Sequence, residues 1–178
     1  MNAKPLLEAE KTHLAQLLEA IQRCTFFLHA ASSKADWPLD GETLKRRKKD
    51  EALFEALSAF NERFAKLQDT LGAAMRHACL LLGENPDSFL KVLAYYEKHG
   101  VVDSIETWQT LRTVRNLAAH SYDTDYAVIA EHFNTLHEMA PALCQAAAAF
   151  ISLSNDKLGI APAQSDFTEE FNAITRTR

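Results

Sequence analysis

Residues 50–82, DEALFEALSAFNERFAKLQDTLGAAMRHACLLL, decide the fold class of this chain. Within them Leu57, Phe60, Phe64, Leu67, Leu71, Met75 and Cys79 recur at steps of three and four. A helix completes a turn in about 3.6 residues, so that spacing lines one face with apolar side chains. Nowhere does the chain sustain the period-two alternation of a half-buried strand. The helical stretch is expected to begin near Glu42 and to reach Leu82. Residues 50 to 82 alone would measure about 50 Å at 1.5 Å per residue. That exceeds what a compact monomer needs, and it points to a partner packed alongside.

Working outward, residues 6–31 carry a second stripe, Leu14, Leu17, Ile21, Cys24 and Leu28. Between the two helices SSKADWPLDG (32–41) is dense in turn formers. Downstream, GENPD (83–87) ends the long helix, Ser88 caps a shorter one running to about Lys98, and Gly100 stops it. Asp103 and Glu106 have capping-box spacing. They introduce a helix from Ser104 to about His120, with Ile105, Trp108, Leu111, Val114 and Ala118 facing inward. The chain breaks at Ser121–Thr124 and restarts near Asp125. The last long helix runs toward Leu153, and Pro141 is expected to kink or split it. NDKLGIAPAQS (155–165) reads as a linker, with a short terminal helix expected over Asp166–Thr175. The expected fold is all-α, an antiparallel bundle of about five helices over residues 1–154 followed by a tail at 155–178.

Composition narrows the function classes. Of 178 residues 47% are apolar and 24% charged, which is globular rather than disordered. No window approaches the roughly 18 apolar residues of a membrane span. The opening MNAKPLLEAEKTH is too charged for a signal peptide, so a cytoplasmic protein is expected. Cys24, Cys79 and Cys144 are odd in number and lack CxxC spacing, against a disulfide framework or a zinc knuckle. Each falls on an apolar face as a free buried thiol. Net charge is −5, which disfavours broad attraction to nucleic acid. Lys45, Arg46, Arg47, Lys48 and Lys49 nonetheless form an unbroken basic run, either a solvated helix start or a patch that contacts RNA phosphates.

The segment that carries chemistry is RNLAAHSY, Arg115 to Tyr122. On a helix, positions 112, 116 and 120 stack on one face with 115 beside them, so Arg112, Arg115, Asn116 and His120 form a polar stripe. Near a helix C-terminus the macrodipole favours the imidazolium of His120. A histidine able to take and give a proton, beside a fixed cation, suits phosphodiester chemistry. His120 would activate a ribose 2′-hydroxyl, Arg115 would hold the phosphate, and Asn116 would orient the ring. Arg and His at a helix end are more often surface or capping residues, and Tyr122 a packing residue at the turn. His132 and His137 lack the i, i+4 spacing of a metal pair, His13, His29, His77 and His99 stand apart in sequence, and no metal or cofactor is expected.

RNLAAHSY resembles the Arg-x4-His-x-Tyr motif of the HEPN superfamily, specifically of HepT-like toxins paired with nucleotidyltransferase antitoxins. RFAKLQDTLG (63–72) resembles the second-helix region of those proteins, and the likeness spans most of residues 6–154. The resemblance implies a metal-independent endoribonuclease with Arg115 and His120 as the catalytic pair and Asn116 as the polar residue that follows the Arg. It implies a homodimer whose two motifs meet across a cleft that takes RNA. It also implies a cognate nucleotidyltransferase antitoxin that silences the toxin by attaching AMP to Tyr122. Within the same superfamily the alternative is a non-catalytic, substrate-binding partner of a minimal nucleotidyltransferase.

Overall fold

The computed structural model describes residues 3–120 and 125–176, all helix, turn or loop. Seven helices are described: α1 (Ala3–Ser32), α2 (Gly41–Arg46), α3 (Glu51–Leu81), α4 (Phe89–Lys98), α5 (Ile105–His120), α6 (Tyr126–Leu158) and α7 (Thr168–Arg176). The seven-residue stripe of α3 is buried throughout; from Phe60 to Cys79 it meets Leu14, Leu18, Ile21, Cys24 and Leu28 of α1 in one core, while Leu57 joins a smaller cluster with Leu44, Leu53 and Ala130. These two helices run antiparallel. His77, late in α3, donates from Nε2 to the backbone oxygen of Glu10, early in α1, at 2.9 Å. At the opposite end Arg63 lies over the ring of Phe27, 5.4 Å from its centroid. α6 lies along both, carrying Leu136, Leu143, Ala147 and Phe150 into the same core.

Several expectations change. The stretch from Glu42 is two helices, because the chain turns at Arg47–Asp50 and starts again. Asp50 makes the restart: its Oδ1 accepts from Leu53 N at 3.0 Å while its Oδ2 holds Arg47 at 2.7 Å. The basic run is therefore a helix end and turn, not a helix start. The length of α3 does not call for a partner either, since α1 has 30 residues, α3 31 and α6 33, so the long helices match one another. Pro141 does not split α6, which continues through it. α5 is capped by Ser104 rather than by an Asp103–Glu106 box: Ser104 Oγ accepts from Thr107 N at 2.9 Å.

The residues after 154 join the bundle. α6 extends to Leu158 and closes at Gly159, whose φ of 65° is the left-handed value glycine adopts without strain. Ile160 and Phe171 then enter the main core, and Ala163 N donates to Ala15 O at 3.0 Å. Among the described residues no helix is long and apolar enough to cross a membrane.

Candidate functional site

α5 is fixed to α3 at two points. At its start the buried Gln68 of α3 donates from Nε2 to Trp108 O at 3.1 Å. About two turns on, Arg115 Nη1 donates to Ala65 O at 2.9 Å and to Asp69 Oδ1 at 2.7 Å. The Arg115 side chain is 12% exposed, whereas Asp69 is 66% exposed. Arg115 thus leaves the stripe expected of it and turns onto α3. Arg112 and Asn116 stay exposed, one turn apart. α5 ends, as described, at His120, whose side chain lies outside the described residues, as does Tyr122.

Between α3, α4 and α5 these anchors leave a cleft of about 330 Å³, lined by Gln68, Asp69, Gly72, Arg76, Phe89, Trp108, Arg112 and Arg115 among others. Three guanidinium groups face one carboxylate there, two positive charges in excess on a chain of net charge −5. Arg76 lies over the Phe89 ring, 5.6 Å from its centroid. Neither Arg76 nor Arg112 has a hydrogen-bonded or ion-pair partner among the described residues. Gly72 lets the aromatic wall approach, for a Cβ there would stand 3.2 Å from Phe89 Cζ and 3.5 Å from Trp108 Cζ2. Guanidinium forks of this kind match phosphate or carboxylate oxygens.

Sequence reasoning placed Arg112 and Arg115 but missed Asp69, Gly72 and Arg76. The signal was present: Ala65, Asp69, Gly72 and Arg76 repeat steps of four, three and four, a small and polar strip beside the apolar stripe.

The basic run divides its work. Arg47 pairs with Asp50 at 2.7 Å, and Arg46 Nη2 donates to Thr43 Oγ1 at 2.8 Å. Lys45 lines a hollow with Asp125, Tyr126 and Ala127, beside the start of α6. Lys48 and Lys49 are exposed in the turn. Of the run, Lys45 is the residue placed beside the start of α6.

Histidines that stand apart in sequence meet in space. His13 and His77 pack edge to face with centroids 4.9 Å apart. His137 stacks on Trp37 at 4.2 Å and is hydrogen-bonded to Ser32 Oγ through Nδ1 at 3.1 Å. Burial lowers its pKa from the ordinary 6.5, against a smaller upward pull from Glu138. All three thiols are buried, and burial pushes Cys144 up to about 12. Among the described residues no three His, Cys, Asp or Glu side chains converge as a metal site would require. No family model matches the chain, and no curated protein or solved structure is significantly similar to it.

Proposed function

We propose that this chain is a HEPN-type bundle that cleaves RNA without a metal, a toxin held in check by a nucleotidyltransferase antitoxin. The single observation that carries this reading is the segment RNLAAHSY ending a helix within an all-helical bundle. Two protomers would bring their motifs together. His120 of one protomer would take the proton of a ribose 2′-hydroxyl as its oxygen attacks the adjacent phosphorus. His120 of the other would give a proton to the departing 5′-oxygen, leaving a 2′,3′-cyclic phosphate. Arg115 would offset the charge that grows on the phosphorane oxygens. The placement of Lys45 beside the start of α6, the helix that follows the motif in sequence, supports a strand passing there.

A second reading has a specific observation in its favour. Arg115 already serves Ala65 O and Asp69, so it acts as a structural anchor in the single chain. That suits a bundle that serves a minimal nucleotidyltransferase and cuts nothing. Purified protein incubated with total RNA in EDTA, beside His120→Ala, separates the two. Cleavage by the parent that the variant lacks is the expected result. Intact RNA with both proteins moves the partner reading ahead.

A further inference from the structure

A cavity of about 260 Å³ lies where α1, α3, α6 and α7 meet. Leu28 and Phe60, both buried, line it from α1 and α3, Ala140 and Pro141 from α6, and Ile174 from α7. Among the described residues no Asp, Glu, Lys or Arg lines it, on a chain of which 24% is charged. Its titratable groups are His29, His137 and the Cys144 thiol. Burial raises the thiol and lowers His137, so both favour the uncharged form. Pro141 adds an unmet acceptor. A helix carbonyl accepts from the N–H four residues on, and proline has none, so the backbone oxygen of His137 loses its helical donor. The His137 ring is already committed, stacked on Trp37 and bonded to Ser32 Oγ. What His137 still offers beside this apolar hollow is therefore its carbonyl, and an acceptor left unmatched there costs free energy.

We propose that this cavity binds a small uncharged molecule, largely apolar, of the size of two fused rings and carrying one N–H or O–H donor. A cavity of about 150 Å³ takes benzene, so about 260 Å³ admits a bicyclic ring. Apolar contact with Leu28, Phe60, Ala140 and Ile174 supplies the affinity. The donor meets the oxygen that Pro141 leaves free. An ion is turned away, because no side chain of fixed charge among the described residues lines the cavity to offset its lost hydration. α7 is part of the site. Ile174 lines the cavity, and Gln145 Nε2 of α6 donates to Thr175 O at 2.7 Å, tying together two of the helices that border it. A bound ligand therefore holds α7 to α6. No residue of α5 lines the cavity, so the inference goes beyond RNA cleavage and does not rest on it.

The test is isothermal titration of the full chain with indole, a fused two-ring molecule with a single N–H. Benzothiophene, the same shape with sulfur in place of the N–H, and indole-3-acetate, an anion, are run beside it. Indole is expected to bind at least about tenfold tighter than the anion. Pro141→Ala gives α6 back its N–H, so the ratio of indole to benzothiophene affinity is expected to fall about threefold or more, the worth of one hydrogen bond. That ratio is read within one protein, so a general loss of packing does not move it. Ala140→Phe fills the cavity and Ile174→Ala removes its α7 lining. Each is expected to weaken indole binding about fivefold or more, and Ile174→Ala carries the comparison if Ala140→Phe does not fold. Bound indole is also expected to slow amide exchange over residues 137–145 and in α7, and not in α4. Absence of heat with indole, equal affinity for the anion, an unchanged ratio in Pro141→Ala, or protection that spares α6 and α7 overturns the proposal.

Discussion

Arg115 is held by two acceptors on α3, one a backbone carbonyl and one an exposed carboxylate. The two bonds are unequal. Ala65 O is a neutral acceptor fixed by its helix, whereas Asp69 is 66% exposed and its attraction is screened by water. Asp69→Asn is therefore expected to cost less than about 1 kcal/mol in urea unfolding, while Arg115→Ala costs roughly 1–3 kcal/mol by also losing the carbonyl bond and the buried stem. The pair of variants matters for function, because Arg115→Ala alone confuses loss of fold with loss of chemistry. If Asp69→Asn destabilises as much as Arg115→Ala, the carbonyl bond is not the anchor. None of this was legible in the sequence. The motif announced Arg115, but nothing local ties it to a carboxylate on another helix. The sequence pattern reports which face a residue occupies, and only packing decides which acceptor lies opposite.

At the scale of the element, the long helices were legible because their apolar steps are long enough to leave no other reading. All seven stripe residues of α3 are buried. The break before α3 was obscured by Lys45–Lys49, residues that favour helix and so hide a turn; only the Asp50 cap marks it. The short α2 owes its position to Gly41 instead. A Cβ there would lie 2.7 Å from Ala127 Cα and 2.9 Å from Ala127 N, both backbone atoms that cannot swing aside. Gly41→Ala is expected to push α2 off the start of α6 and to destabilise the fold by roughly 1–3 kcal/mol, the usual cost of overpacking. Gly72→Ala makes the control, since its nearest neighbour is the end of a Phe89 ring at 3.2 Å. Should Gly41→Ala unfold at the same urea concentration as the parent, the close approach of α2 and α6 does not govern their packing.

For the whole molecule, the least legible feature was the reach of the core. Residues 155–165 look like a linker because Gly159 and Pro162 interrupt them and few apolar residues recur. Yet a single large side chain placed well can tie a segment down, and Phe171, 2% exposed, does so for α7. Around it Thr168 Oγ1 donates to Gln22 Oε1 at 3.0 Å, and Gln145 Nε2 donates to Thr175 O at 2.7 Å. α7 thus closes over α1 and α6, the two helices whose stripes it shares. Replacing Phe171 by Ala removes that ring and leaves a cavity, an expected loss of roughly 3–5 kcal/mol in chemical denaturation. Cutting the chain after Gly159 is expected to do at least as much, because Ile160 is removed with it and apolar surface of α1 is bared to water. The truncated chain should then bind a hydrophobic dye that the full chain ignores. A truncated chain as stable as the full one would mean that the bundle is complete without α7.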